Sequence, residues 1–167
     1  MKCPMCGETM KTVNGTYKYV ESGLNNIILT GVPLHKCSCG EAMPEIRNIE
    51  GLHRVIANAL VKKKTPLSGR EVRFIRKEMR CSAKELALML GVSPVTVSRW
   101  ENETEKIGMV SDKLIRMIYI QTVQEKCHKV LEGTVSQIKA IKSEDGQKPI
   151  RISIPSLNKY DTCLSYT

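Results

Sequence analysis

Two short stretches carry residues that could do chemistry together. "KCPMCGE", residues 2–8, and "HKCSCGE", residues 35–41, each hold two cysteines, and each ends in Cys-Gly-Glu. Tetrahedral zinc takes four ligands, and a Cys-x-x-Cys turn presents two thiolates from one side. A glycine after the second cysteine allows a tight turn, so that backbone N–H groups can point at the sulfurs and stabilise their charge. The second stretch is Cys-x-Cys, one residue shorter, with a tighter bite. We expect Cys3, Cys6, Cys37 and Cys39 to hold a structural Zn2+, with His35 in reserve in place of Cys39. Four protein ligands leave no open position for substrate, so this metal should staple rather than catalyse.

Rival readings of the cysteines are weaker but stay open. Two paired clusters, each ending in Gly-Glu, argue against unrelated free thiols. Thiol redox chemistry needs its motif between a strand and a helix, and no strand is expected ahead of Cys3. An iron site of four cysteines fits the ligands, although one Phe and one Trp make a buried iron pocket a poorer fit. Cys81, Cys127 and Cys163 are isolated, and His53 and His128 have no ligand-spaced partner, so the two histidines are expected on helix surfaces.

A second chemistry lies in "SPVTVSRWEN", residues 93–102. On a helical wheel Ser93, Val97 and Trp100 share one side. Val95, Arg99 and Asn102 lie opposite, flanked by Thr96 and Ser98. A guanidinium pairs bidentately with guanine, and a methyl group meets the thymine methyl, so the outward side suits a DNA major groove. Ser82, with the N–H groups at the start of its helix, can take a phosphate. The charge agrees: of the net +9, residues 61–80 carry +6. Lys62, Lys63 and Lys64 are expected on phosphates, as a local basic stripe suggests a polyanionic partner.

The elements that must position these groups follow from pattern. "GTYKYVES" and "NNIILTGVPLHK" read as short strands. Ile46, Ile49, Leu52, Val55, Ile56, Ala59 and Leu60 keep helical spacing over residues 45–63, and "KKKTPLSG" breaks that helix. "GREVRFIRKEM" places Val72, Ile75 and Met79 on one face. Ser82 with Glu85 forms a capping box, Gly91 ends that helix, and Ser93-Pro94 starts the next. Ala87 leaves room for a close crossing. A further helix begins near Ser111 and is expected to reach about residue 142. Its apolar stripe of Leu114, Ile115, Ile118, Val123, Cys127, Val130, Leu131, Val135 and Ile138 covers the core first and, beyond about Val123, supplies a dimer seam. "PIRISIPS" alternates like an edge strand.

At "SGREVRFIRKEMRCSAKELALMLGVSPVTVSRWEN" the chain resembles an Xre/Cro-type helix-turn-helix. With "CPMCG…CSCGE" ahead of it, residues 1–120 resemble the MqsA/YgiT-type zinc-finger–helix-turn-helix antitoxins and regulators, whose second half has Cys-x-x-Cys. The resemblance implies a metal-stapled first domain that binds a toxin, and a dimeric second domain that reads a palindrome. It implies DNA contacts at Ser82 and Ala83 and at Pro94, Val95, Thr96 and Arg99. The expected fold is α+β: a zinc-binding β domain (1–44), a connecting helix and basic linker (45–68), an all-α helix-turn-helix domain (69–131), and a helix extension and tail (132–167). The expected function is sequence-specific transcriptional regulation, repressor-like and not enzymatic, by a homodimer on double-stranded DNA. The alternatives are an antitoxin that also binds a toxin protein, and a thiol redox or iron–cysteine protein. No run of apolar residues suggests a membrane span, and reduced thiols fit a cytoplasmic location.

Overall fold

The computed structural model describes residues 1–124, 138, 141 and 149–154. They form two compact units. The first holds Met1–Val20, Asn25–Val55 and the strand near residue 150; the second holds Glu21–Leu24 and the helices from Ile56 onward. The expected α+β class is present, with the sheet ahead of the helices.

In the first unit, β1 (Lys11–Lys18) pairs antiparallel with β2 (Ile27–Lys36) along its whole length. The other edge of β2 takes β3 (Ala42–Pro44) antiparallel near its end and β4 (Ile150–Ser153) parallel near its start. The edge strand expected near residue 150 is therefore part of the sheet that carries the cysteines, not of a separate tail. Ile27, Leu29, Val32 and Leu34 of β2 are buried. Strict alternation cannot place all four on one face, since Leu29 and Val32 are three apart. The register shift opposite Gly15 and Thr16 solves this: Gly31 is the extra residue, at φ 68°, and the bulge resets the inward phase. Gly15 is equally constrained, because a Cβ there would lie 2.8 Å from Leu34 Cδ1.

Helix α1 (Ile49–Lys62) starts at Asn48, whose side-chain oxygen accepts the Gly51 N–H at 2.7 Å. Ile46 lies before it and Ile49 is exposed, so the apolar face begins later than its spacing suggested. Burial is also broader than a stripe: Leu52, Val55, Ile56, Ala57, Leu60 and Val61 are all buried. His53 is half-buried rather than a surface residue. Its Nε2 lies 3.0 Å from the Tyr19 hydroxyl, and burial lowers its pKa.

The second unit packs α2 (Gly69–Glu78), α3 (Ala83–Leu90), α4 (Pro94–Glu101) and α5 (Met109–Gln124). Every expected cap is in place. Ser82 and Glu85 form their capping box, Gly91 ends α3 at φ 66°, and Ser93 with Pro94 opens α4. A further capping box, Ser68 with Glu71, opens α2. Helix α5 begins at Met109, slightly before the expected start; its expected continuation toward residue 142 lies outside the described residues, apart from buried Ile138 and Ile141. Cys127, His128, Val130, Leu131, Val135 and Cys163 also lie outside them.

A fully buried guanidinium ties α5 to the end of α1. Arg116 donates from Nε to Asp112 at 2.9 Å, from Nη1 to the carbonyls of Val61 and Lys63, and from Nη2 to that of Thr65. Asp112 also accepts the Leu67 N–H at 2.6 Å. Carbonyls at a helix end lack intrahelical partners and attract a cation, so Arg116 satisfies them inside the fold.

Gly69 lies at a close approach between α2 and α4. A Cβ there would fall 1.9 Å from the Trp100 carbonyl oxygen of α4. Gly69→Ala should therefore force α2 and α4 apart and cost about 1–3 kcal/mol, as overpacking does. Gly91→Ala meets no neighbour within 4 Å and should cost only the left-handed backbone, about 1–2 kcal/mol. Urea unfolding checks both. Recovery by compensating mutation elsewhere in the α2–α4 contact is expected for the first alone.

Candidate metal centre and nucleic-acid interface

The four cysteines converge. One sulfur from each of Cys3, Cys6, Cys37 and Cys39 lies within 4.8 Å of all the others. Cys6 and Cys37 sulfurs are 3.3 Å apart, and those of Cys3 and Cys39 are 3.6 Å apart. Four thiolates at ~2.3 Å from one tetrahedral zinc would stand about 3.8 Å from each other, so the donor set fits such an ion. Cys3 is buried, Cys37 half-buried, and Cys6 and Cys39 exposed.

The backbone explains the repeated Cys-Gly-Glu. Gly7 and Gly40 adopt φ 77° and 96°. Beyond each glycine, the N–H of Glu8 faces the Cys6 sulfur and that of Glu41 faces Cys39. The N–H of Cys39 does the same for Cys37 and, with the Cys6 thiol, lowers its pKa to about 6. The missing residue of the second half is absorbed in the turn. In the first half Cys3 N–H bonds the Glu8 carbonyl and Gly7 N–H bonds that of Cys3; in the second, Cys37 N–H bonds Glu41 and Gly40 N–H bonds Cys37. Each bond of the second loop closes one residue sooner than its counterpart in the first, and the loop still delivers its sulfur.

His35 stands apart from this cluster. Its Nδ1 lies 2.9 Å from the Thr12 hydroxyl, and its Nε2 lies 3.5 Å from a Glu45 oxygen. Both ring nitrogens are engaged across the sheet, and His35 is not among the clustered donors. The reserve ligand is set aside, and Cys39 takes the fourth place.

In the helical unit the outer side of α4 matches its expected face. Pro94, Val95, Ser98 and Arg99 are exposed, with Val95 at 59%, and Thr96 is half-buried. Val97 and Trp100 point inward. Ser93, expected inward, is exposed because it serves as the cap; its hydroxyl accepts the Thr96 N–H at 3.1 Å and meets the Thr96 hydroxyl at 2.9 Å. Asn102, expected outward, is taken by Arg73 Nη2 at 2.8 Å and donates to Ser98. Arg99 has a single distant acid, Glu105 at 3.8 Å, and stays solvent-facing. On α3, Ser82 is exposed and Ala83 half-buried beside it.

The basic stripe is only partly available to a partner. Lys63 Nζ meets the fully buried Glu71 carboxylate at 2.5 Å, so its expected phosphate role is withdrawn: a buried carboxylate demands a cation, and Lys63 supplies it. Arg73 and Arg76 converge on Glu101, Arg76 through two bonds of 2.6 and 2.9 Å. Among the described residues, no ion pair within 4 Å joins Lys62, Lys64, Lys77 or Arg80 to an acid.

Sequence reasoning missed Glu71 and Glu101. The signal was there: Glu101 follows Val97 by four residues and Glu71 precedes Ile75 by four, so each carboxylate sits on an inward line of its helix. An inward carboxylate requires a basic partner, and the stripe provided one for each.

Burial pushes the Glu101 carboxyl up, but the guanidiniums of Arg76 and Arg73 outweigh it and hold it below the ordinary range. A lowered folded-state value gives stability that is present above the unfolded carboxylate pKa of ~4.3 and is lost as pH falls through the folded value. Glu101→Gln should therefore lower stability at neutral pH and flatten its decline in acid. Urea midpoints from neutral pH down to strong acid check this.

Residues 72–109, from α2 to the first residue of α5, match the HTH_3 helix-turn-helix family. No curated protein and no solved structure matches the chain. The capped α3, the Gly91 turn and the exposed face of α4 lie inside this match, which supports a DNA-binding helix-turn-helix.

Proposed function

We propose that the protein is a sequence-specific, repressor-like transcriptional regulator, a homodimer on a palindromic operator, with a structural zinc in its first unit. The observation that carries this reading is the outer side of α4. Pro94, Val95, Ser98 and Arg99 are exposed with half-buried Thr96 among them, while Glu101 and Trp100 fix the helix from behind. Arg99 reads guanine, and Val95 contacts a thymine methyl. Ser82 and Ala83 set the start of α3 against the backbone, with Lys62 and Lys64 on neighbouring phosphates.

The dimer seam expected beyond about Val123 lies outside the described residues; within them, the exposed apolar line Val110, Leu114 and Met117 of α5, spaced four and three residues apart, would extend it. Ile115, by contrast, is fully buried in its own core. A palindrome with half-sites about one helical turn apart follows from such a dimer.

Zinc is favoured by a closed set of four thiolates with backbone N–H groups on the sulfurs. Iron shares those ligands, and a red colour in purified protein would show it. An antitoxin role of the MqsA/YgiT type is a second reading. Its support is that the cysteine-bearing unit contains no part of the residues 72–109 match, leaving that unit for a protein partner. We place the protein in the cytoplasm; no described helix is long and apolar enough to cross a membrane.

Duplexes enriched from a random pool test the DNA assignment. Arg99→Ala should cost about 1–3 kcal/mol on the enriched duplex and relax one base pair per half-site. Lys62→Ala with Lys64→Ala should weaken all duplexes alike and flatten the log–log salt slope by up to about 4 units, at ~0.9 per phosphate in two subunits. Lys63→Ala should leave the slope unchanged and destabilise the fold by about 3 kcal/mol, because buried Glu71 loses the Lys63 ammonium. Equal loss on enriched and random DNA for Arg99→Ala would make it a phosphate anchor.

Metal analysis tests the first unit. Cys39→Ser should lose most of the bound zinc, whereas His35→Ala should keep it. The reverse pattern would return His35 to the ligand set.

A further inference from the structure

Two sulfur–sulfur approaches shorter than 4 Å run between the halves of the cysteine cluster. Cys6 lies 3.3 Å from Cys37, and Cys3 lies 3.6 Å from Cys39. Each approach joins an exposed sulfur to a more shielded one: exposed Cys6 to half-buried Cys37, and exposed Cys39 to buried Cys3. A disulfide needs about 2.05 Å, so the two pairs close with shifts of about 1.3 and about 1.6 Å. Pairing within the short half is hindered. A bond between Cys37 and Cys39 would span one residue, and departures from relaxed disulfide geometry store several kcal/mol of strain.

We propose that the cluster is a peroxide-responsive clip that exchanges its metal for two disulfides, Cys6–Cys37 and Cys3–Cys39. The exposed thiolate of Cys6 or Cys39 attacks one oxygen of hydrogen peroxide. The O–O bond breaks, hydroxide leaves, and the sulfur becomes a sulfenic acid. The shielded partner then attacks that sulfur, forming the S–S bond and expelling a second hydroxide. Two thiolates are oxidised by two electrons, and one peroxide is reduced. Repeating the sequence on the second pair consumes a second peroxide and removes the last two thiolate ligands, so the metal leaves. Both disulfides bridge residues more than thirty apart and join the same two turns that the metal joined. The staple is replaced rather than lost, and the β1–β2 register it supports survives.

The proposal rests on the metal reading of the cluster, and the test keeps the two separate. Purified full-length protein is treated with hydrogen peroxide beside a chromophoric zinc chelator, then alkylated and mapped by non-reducing peptide mass spectrometry. We expect release of one zinc per chain, with Cys6–Cys37 and Cys3–Cys39 as the dominant linkages. The far-ultraviolet circular dichroism should be unchanged, and dithiothreitol with zinc should restore the starting state. In Cys6→Ser, the Cys3–Cys39 linkage should still form while Cys37 stays alkylatable. Dominant Cys3–Cys6 linkage, sulfinic or sulfonic products, or peroxide-resistant thiols would overturn the proposal. Protein that contains no metal yet forms the two cross-linkages would overturn the metal reading while upholding the pairing.

Discussion

The helix-turn-helix depends on one buried carboxylate. Glu101, at the last turn of α4, takes Arg76 through two bonds and Arg73 through a third. Removing a carboxylate from water costs several kcal/mol, and only well-aligned cationic donors offset that. Two guanidiniums of α2 are thereby committed to one point on α4. Gly69 allows the same two helices to approach until the backbones touch. The inner side of α4 is fixed by this contact, and its outer side is left with Val95, Ser98 and Arg99 exposed. A helix held this way is preorganised: in the proposed reading, DNA binding need not freeze it.

The same logic recurs where Lys63 meets Glu71 and where Arg116 closes the end of α1 onto Asp112. Of the eight cations in residues 61–80, Lys63, Arg73 and Arg76 are thus held by buried carboxylates, and Arg70 lies 3.9 Å from Glu103. The remaining cations, Lys62, Lys64, Lys77 and Arg80, are the ones left to attract a polyanion. In the first unit the sulfurs of Cys3, Cys6, Cys37 and Cys39 are gathered within 4.8 Å of one another, positioned to hold a metal. The two turns that carry them are built from matching hydrogen bonds, with the shorter half closing one residue earlier.

Much of this was legible in the residues. Caps, turns and the inward period of α4 come from local rules, and those rules placed Ser82, Gly91, Ser93, Val97 and Trp100 in their elements. The four thiolates were legible because paired cysteines with a following glycine have few other uses. The departures all involve partners distant in sequence. His35 looked like a reserve ligand until Thr12 of β1 and Glu45, just past β3, occupied its ring. Lys63 looked like a phosphate contact because nothing near it in sequence announces that Glu71 is buried. β4 joins the sheet by parallel pairing across more than a hundred residues, which no local pattern specifies. The bulge at Gly31 was equally hidden, since the apolar residues of β2 do not keep one alternation.

The central claim is that the outer side of α4 reads DNA while the cysteine unit does not. A titration of isotope-labelled protein with an enriched duplex, followed through backbone amide shifts, tests it most directly. The account predicts that the largest shifts fall on Ser82, Ala83 and Pro94's neighbours Val95 to Arg99, with Cys3 to Glu8 and Cys37 to Glu41 unmoved. Large shifts at the cysteine turns or along β1, with α4 unmoved, would contradict it.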